Sequence, residues 1–185
     1  MSKIDTNLYS RQITTFGIDT MSKLQNLRVL IIGMRGLGIE IAKNIILFGI
    51  KKVNILDENL VSINDLGSNF FLSEENISKP RDISSLPKLK ELNSYVYVDI
   101  FRENIEKKIN DFDVIIITEI MDTKYLFHIN EICHDNKINF IYCLNFGLSC
   151  YIFSDFGNKH IITDPSGKEK KYILLKILIN QGLLL

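Results

Sequence analysis

Apolar residues along the chain form short continuous runs that alternate with stretches of helical periodicity. Arg28–Ile32 (RVLII) is an apolar run that ends at a glycine, and residues 37–48 carry apolar side chains at helical spacing. Lys52–Leu56 (KVNIL) predicts a second strand, which ends at Asp57. A strand, a helix and a strand within about 30 residues indicate a βαβ unit, whose strands pair in parallel across a right-handed crossover.

The same alternation continues toward the C-terminus. A helix with an apolar face is predicted over residues 125–133, and further strands are predicted at 95–98, 113–118 and 139–143. After residue 143 the pattern changes, because short strands at 151–154 and 159–163 flank the sequence DFGN, which is typical of a hairpin. The predicted fold class is therefore α/β: a Rossmann-like, mostly parallel sheet flanked by helices, with antiparallel strands at the C-terminal edge.

Proline and the apolar C-terminus add two expectations. Ser78 is expected to cap a helix that has Pro80 in its first turn, and Pro87 is expected to kink or split that helix. Residues 172–185 (YILLKILINQGLLL) are apolar and end on three leucines. This tail is interpreted either as a final element docked on the core or, preferably, as the start of another module at which the chain is cut.

Length, charge and cysteine usage exclude several classes of protein. The chain has 185 residues, enough for one ordinary domain, and 46% of them are hydrophobic, enough for a core. Lys plus Arg and Asp plus Glu both number 22, so the basic excess typical of binding to nucleic acid or to an anionic membrane is missing. The apolar runs fall short of the ~20 residues that span a bilayer, and no signal peptide is visible.

Cysteines and histidines offer no clear reactive site. Cys133, Cys143 and Cys150 form no CxxC pair, and they are expected to be free thiols in a reducing compartment. Cys133 and Cys143 are interpreted as core residues, and none of the three has the cationic setting of a nucleophile. The three histidines lack metal-ligand spacing, so no metal site is expected.

Residues 33–38 (GMRGLG) lie between the first strand and the first helix of the βαβ unit. In this place a glycine-rich turn lets the backbone approach a phosphate at the helix N-terminus. Arg35, however, occupies the position at which such a loop needs its close-approach glycine, while Asp57 is placed to hold a ribose. Two interpretations stay open: a nucleotide site in which Arg35 binds phosphate by charge, or a turn whose glycines serve only helix–strand packing.

Several segments, taken together, resemble the N-terminal inactive adenylation domain of ubiquitin-activating enzymes, which has a ThiF/MoeB-like fold. They are residues 9–12 (YSRQ), 33–44 (GMRGLGIEIAKN), 65–72 (DLGSNFFL), 91–96 (ELNSYV), 155–157 (DFG) and 163–167 (TDPSG). The non-catalytic subunit of the SUMO-activating heterodimer shares the glycine segment but matches 91–96 and 155–167 less well. The resemblance covers roughly residues 8–170.

The resemblance implies that residues 1–170 form the inactive adenylation domain, and that 171–185 are the truncated start of an inserted catalytic-cysteine half-domain or a docked tail. In such enzymes two adenylation folds pack as a pseudo-dimer. The second uses ATP and magnesium to adenylate the ubiquitin C-terminus, and ubiquitin then passes to a cysteine as a thioester. The implied partners are that active domain, ubiquitin and the ubiquitin-conjugating enzyme, in the cytoplasm and the nucleus. A homodimer of the isolated chain is also expected, because the surface that meets the active domain would be apolar.

Compared with active members of this fold, the chain departs at the positions that handle the triphosphate and its metal ion. Arg35 replaces a glycine of the loop, Ser68 replaces a phosphate-binding arginine, and Arg81 replaces the second lysine of a G-K-x-K stretch. No D-N pair follows the fourth strand, although Glu119 or Asp122 could stand in for its metal ligand. Since adenylation needs a cluster of cations and a magnesium ion around ATP, no cofactor is expected on this chain and the chain alone is expected to be inactive.

Arg11, in the YSRQ segment, matches an arginine that in this family reaches across the pseudo-dimer to the ATP of the active domain. A guanidinium offers phosphate oxygens a planar, permanently charged set of donors. The alternative is a surface arginine in an N-terminal arm. Two rival functions also remain: the non-catalytic subunit of a SUMO-activating heterodimer, and a free-standing nucleotide-dependent enzyme (an adenylyltransferase or an NAD-dependent dehydrogenase), against which Arg35 and Ser68 speak.

Overall fold

The structure, a computed structural model, describes residues 5–158. Within that range one six-stranded sheet is flanked by helices. The strands are β1 Arg28–Ile32, β2 Lys52–Leu56, β3 Tyr97–Ile100, β4 Val114–Ile117, β5 Asn139–Phe146 and β6 Ser149–Asp155. The helices are α1 Ser10–Phe16, α2 Ile18–Leu24, α3 Gly36–Phe48, α4 Arg81–Glu91, α5 Ile105–Lys108 and α6 Thr123–Asp135. Among the described residues, no helix has the length and apolar character needed to cross a membrane.

The sheet has the strand order β3-β2-β1-β4-β5-β6, with β1 to β5 parallel and β6 antiparallel to β5. The predicted class, a mostly parallel sheet with an antiparallel C-terminal edge, is confirmed. The order reverses beside β1, where Ile32 pairs with both Leu56 and Ile117. The residues that follow these three strands therefore meet at one edge of the sheet, where a sheet of this kind forms its ligand-binding crevice.

Both faces of the sheet are covered, because successive strand residues point to opposite sides. Val29 and Ile31 belong to an apolar cluster on the side of α3 and α4, with Ile39, Ala42, Ile46 and Leu89. Leu30 and Ile32 belong to a second cluster on the side of α5 and α6, with Ile105, Ile109, Ile129 and Cys133. This double burial explains why the strands read as continuous apolar runs.

Helix α4 differs from its prediction in two ways. It begins at Arg81 with Pro80 at the N-cap position, whereas Ser78 has a positive φ of 67° and is not a cap. The segment before α4 instead pairs with residues 60 and 61, since the Ser78 N–H donates to the Val61 carbonyl over 3.0 Å. Pro87 lies inside α4 without splitting it. Proline leaves the carbonyl four residues earlier without its helical partner, and that residue, Ile83, is exposed, so solvent is available to it.

The C-terminal edge contains a turn that was not predicted. β5 and β6 are joined through Gly147 and Leu148, and Gly147 has the positive φ (61°) that a tight turn requires. The predicted strand 151–154 is part of β6, but its predicted partner 159–163 lies outside the described residues. The tail 171–185 lies outside them as well.

Candidate functional site

The glycine loop between β1 and α3 is packed tightly against its neighbours. A Cβ added at Gly38 would lie 1.9 Å from the Gly33 carbonyl oxygen, and one added at Gly36 would lie 2.9 Å from the Ser68 Cβ. Gly33 has a φ of 96°, and the Thr118 hydroxyl donates to its carbonyl oxygen over 3.0 Å. Close packing within the loop and against Ser68 and Thr118 therefore accounts for all three glycines, which favours the interpretation that they serve packing.

Asp57, expected to hold a ribose, is already saturated by protein donors. It follows β2 and is buried. One carboxylate oxygen accepts from the Met34 N–H (2.8 Å) and from Arg81 Nε (2.7 Å). The other accepts from Arg81 Nη2 (3.2 Å) and from the backbone and side-chain nitrogens of Asn59 (3.1 Å each). A ribose hydroxyl would have to displace one of these donors, so the structure does not bear out the expected role of Asp57.

Arg81 occupies the centre of this edge of the sheet. Its side chain is only 2% exposed and forms ion pairs with Asp57 (2.7 Å), Asp65 (3.5 Å) and Glu119 (3.3 Å). Burial alone would lower the pKa of Arg81, but the hydrogen bonds that its guanidinium donates to Asp57 and the charges of the surrounding carboxylates raise it above its ordinary value. The guanidinium is thus a permanent buried cation held by three carboxylates.

Asp65 reaches Arg81 from the 3-10 turn Ile63–Gly67. Burial raises its pKa, but hydrogen bonds from the Ser62 N–H and hydroxyl (2.8 Å each), together with the charge of Arg81, outweigh this and lower it. Asn69 then ties the same segment to the glycine loop, because its amide donates to the Met34 carbonyl over 3.1 Å. The segment is therefore fixed around Arg81.

A second ion pair lies behind the first and was not foreseen from the sequence. Asp82 is fully buried and accepts from the Asp57 N–H (2.7 Å) and from two nitrogens of Arg102 (2.6 and 2.9 Å). Arg102 comes shortly after β3 and also pairs with Glu58 over 3.3 Å. The one sequence signal was the adjacent opposite charges of Arg81 and Asp82 after a proline, at the start of a helix.

Neither carboxylate proposed as a substitute metal ligand is arranged as one. Glu119 pairs with Arg81 and, over 3.4 Å, with the 63% exposed side chain of Arg35. Burial and the nearby charge of Asp57 raise the pKa of Glu119. Asp122 caps α6, accepting from the N–H groups of Lys124 (2.9 Å) and Tyr125 (3.1 Å). Over residues 5–158 no group of three or more His, Cys, Asp or Glu side chains could hold a metal ion.

These residues do not fit a magnesium nucleotide. The buried cation that a triphosphate would need is Arg81, and it is already neutralised by Asp57, Asp65 and Glu119. Any further anion entering here would meet buried carboxylates instead of free cations, which is unfavourable in a poorly solvated site.

Arg11 lies on α1 and is exposed, and within residues 5–158 no hydrogen bond or ion pair holds its guanidinium. The preceding Tyr9 is buried, however, and its hydroxyl accepts from Asn93 Nδ2 over 3.1 Å. The structure therefore keeps Arg11 apart from the crevice of its own sheet. It also attaches the N-terminal segment to the body, which the interpretation as a loose arm did not include.

The cysteines are placed as expected, and one histidine has an unexpected partner. Cys133 and Cys143 are buried and Cys150 is exposed. Burial raises the pKa of Cys133 to about 12, so it is not a ready nucleophile. His134, at the end of α6, bonds through Nδ1 to Asp155 at the end of β6 (3.0 Å). The sequence offered no signal for this pair, because its members lie in elements that meet only in the folded sheet.

Comparisons with known proteins agree with this architecture. The model of the ThiF family matches residues 9–161. Over 167 residues the chain is 46% identical to "Ubiquitin-activating enzyme E1 1" of Candida albicans and 41% identical to "Ubiquitin-like modifier-activating enzyme 1" of Homo sapiens. Each match covers 90% of this chain but only 16% of the relative, so the chain spans a small part of the length of these curated relatives.

Solved structures match in fold. A crystal structure of E. coli MccB has a TM-score of 0.72 and 20% sequence identity, covering 100% of this chain and 57% of that one. A structure of E. coli MccB with SeMet MccA has a TM-score of 0.73 and covers 98% of this chain and 58% of that one. At this level of identity the likeness concerns the fold alone.

Proposed function

Because the chain belongs to the ThiF family, we propose that residues 1–170 are the non-catalytic adenylation-fold part of a ubiquitin-activating enzyme. In this role the domain scaffolds a catalytic adenylation domain and supplies Arg11 to the ATP of that domain. Residues 171–185 are the beginning of the next module or a docked tail. The identities of 46% and 41% to relatives named as ubiquitin-activating and ubiquitin-like modifier-activating enzymes support the assignment.

The observation that carries the non-catalytic assignment is the ion-pair network of Arg81. An adenylating site must offer free cations to a triphosphate and a free carboxylate to its metal ion. Here the buried guanidinium holds Asp57, Asp65 and Glu119 at distances of 2.7 to 3.5 Å. Arg35, in the loop itself, faces solvent and is also paired with Glu119.

Exposed apolar side chains support a scaffolding role. Ile120, Phe127, Tyr151 and Phe153 border an apolar groove of about 330 Å³ between α6 and the outer strands. Exposed apolar surface of this kind is typical of proteins that meet a further protein unit. We expect the isolated chain to self-associate, and a clean monomer in sedimentation at high concentration would count against this.

The exposed guanidinium of Arg11 supports a role in trans. A residue that acts on another domain must stay free in its own domain, and Arg11 makes no ion pair within residues 5–158. A guanidinium can give two parallel hydrogen bonds to phosphate oxygens.

In the whole protein, the catalytic domain uses ATP and magnesium to adenylate the ubiquitin C-terminus. Ubiquitin then passes to a cysteine as a thioester, and a ubiquitin-conjugating enzyme receives the ubiquitin, in the cytoplasm and the nucleus.

A titration tests the non-catalytic assignment directly. The 185-residue chain should bind ATP weakly or not at all, with or without magnesium, and should not hydrolyse it. Magnesium-dependent binding with a dissociation constant in the low micromolar range would contradict the proposal.

Arg11→Ala in an intact ubiquitin-activating enzyme built on this sequence tests the role in trans. The rate of ATP–pyrophosphate exchange should fall by roughly 10–10³-fold, less than for a sole arginine finger because the catalytic domain keeps its own cations. Arg11→Lys should rescue only partly, since an ammonium group cannot make the bidentate contact. Thioester formation from preformed adenylate should not change. ATP–pyrophosphate exchange at the wild-type rate in Arg11→Ala would mean that the domain serves only as a scaffold.

A further inference from the structure

Helix α1 should not hold its position by its own interactions. It has seven residues, none of them buried, and no side chain caps its N-terminus. Isolated helices shorter than about 12–15 residues are marginal in water, so α1 must be held by attachment to the body. At its C-terminal end Phe16 contacts the Phe48 ring with centroids 5.3 Å apart, and Gly17 leads into α2, where Met21 is buried. The end that carries Arg11 needs an anchor of its own.

Tyr9 is that anchor. It directly precedes α1, is 3% exposed, and its ring lies against Gly49 at the end of α3. A Cβ at Gly49 would lie 2.4 Å from the Tyr9 hydroxyl oxygen, so the Tyr9 side chain can lie here only because residue 49 is glycine. Gly49 also has a φ of 82°, a conformation that glycine adopts without strain.

Asn93 holds the buried Tyr9 side chain by a hydrogen bond to its hydroxyl. Its amide nitrogen donates to the Tyr9 hydroxyl (3.1 Å) and to the Ile46 carbonyl in the last turn of α3 (3.1 Å). Its amide oxygen accepts from the Tyr95 N–H (3.1 Å). Both donors of the amide are therefore used, and one side chain links the start of α1, the end of α3 and the loop before β3. The YSRQ and ELNSYV segments meet at this point.

We propose that Tyr9 and Asn93 are positioning residues that fix the N-terminal end of α1 and thereby the direction in which Arg11, two residues after Tyr9, is presented. The consequence for Arg11 rests on its proposed function in trans. A guanidinium that must reach phosphate oxygens on another domain depends on placement within about 1 Å, so a freed α1 would lower the adenylation rate even with Arg11 intact.

Hydrogen exchange of the 185-residue chain tests the anchor itself. Tyr9→Phe removes only the hydroxyl and keeps the buried ring. Tyr97→Phe is its matched control, because the Tyr97 hydroxyl bonds to Asp99 within β3 (2.8 Å) and not to Tyr9 or Asn93. In Tyr9→Phe the amides of Ile13 and Gly17, both bonded within this segment, should exchange about fivefold faster, as expected for one lost hydrogen bond. The β1 amides should be unchanged in both variants.

Asn93→Ala is the second variant, since it removes the bonds to both Tyr9 and Ile46. It should accelerate exchange in α1 at least as much as Tyr9→Phe, and the double variant should exchange little faster than Asn93→Ala alone, because the two residues share one contact. Exchange in α1 at the wild-type rate in both single variants would overturn the proposal.

A coupling measurement in the intact enzyme separates positioning from simple loss of structure. Tyr9→Phe should slow ATP–pyrophosphate exchange by about tenfold when Arg11 is present, and should have no further effect in the Arg11→Ala background. Additive effects would overturn the positioning role. If Arg11→Ala alone has no effect, the role of Arg11 in trans fails, while the hydrogen-exchange result still decides whether Tyr9 and Asn93 hold α1.

Discussion

An arginine side chain is buried at the crevice edge of the sheet, whereas the arginine on helix α1 is exposed. At the crevice Arg81 is buried and holds three carboxylates, and Arg102 behind it holds a fourth, Asp82. On α1 Arg11 is exposed, and no carboxylate within residues 5–158 pairs with it. The same side chain is therefore part of the architecture in one region and available to a second protein unit in the other.

This difference shows how the crevice of a parallel sheet can be stabilised by charges of the protein itself. The crevice of a parallel sheet collects polar groups from several loops, and a buried carboxylate such as Asp57 is costly unless a cation satisfies it. In this chain the cation is a side chain of the protein. The carboxylates of the crevice are therefore satisfied by the protein itself.

The largest effect is expected from Arg81→Met, which breaks the crevice network. The substitution leaves Asp57 and Asp65 buried with no guanidinium, so the free energy of unfolding should fall by about 3–5 kcal/mol. Urea unfolding monitored by circular dichroism measures it. Arg11→Met is the control and should stay within about 0.5 kcal/mol of wild type. A loss of less than about 1 kcal/mol for Arg81→Met would mean that water or rearranged donors satisfy the carboxylates.

A smaller loss is expected from Gly38→Ala, which tests whether the glycine loop serves packing. The new methyl group would lie 1.9 Å from the Gly33 carbonyl oxygen, a backbone atom that can move only with the loop. We expect a loss of about 1–3 kcal/mol in the free energy of unfolding, measured by the same titration. Gly67→Ala is the matched control, because nothing lies within 4 Å of its added Cβ. Equal stability of the two variants would contradict tight packing of the loop.

The smallest effect concerns pH and contrasts the permanent charge of Arg81 with the titratable charge of His134. The hydrogen bond to Asp155 raises the pKa of His134, while the Gly157 N–H and then the bond from His134 lower the pKa of Asp155. The pair therefore stabilises the fold fully below the ordinary histidine pKa of about 6.5 and loses its effect as pH rises through the raised value. In strong acid it is lost again when Asp155 takes up a proton.

His134→Gln measures that contribution. The urea midpoint of the variant should lie below that of wild type near pH 6, and the difference should shrink as pH rises toward 9. The effect should be small, because the pair is partly exposed and screened by solvent. A difference that stays constant over this pH range would show that the contact does not depend on the imidazolium charge.

Much of the fold followed from local pattern. The runs Arg28–Ile32 and Lys52–Leu56 were predicted with the bounds that the structure has, because strands buried on both faces are continuously apolar. Helices α1, α2 and α5 were not predicted, since short helices with few buried residues leave little periodicity to detect. The substitutions at positions 35 and 68 could also be recognised along the chain, because each is a single residue in a known pattern.

What the sequence by itself determined is the class of the sheet and the positions of its buried strands. Only the tertiary structure decided what fills the crevice. The carboxylates around Arg81 lie 16, 24 and 38 residues from it along the chain, and they converge because β1, β2 and β4 end at the same edge. Tyr9 and Asn93 meet across 84 residues at a different place, where α3 ends before β2 and where the chain enters β3. Periodicity reports which face of an element is buried, whereas a polar contact between loops depends on strand order and register, which become fixed only when the sheet assembles.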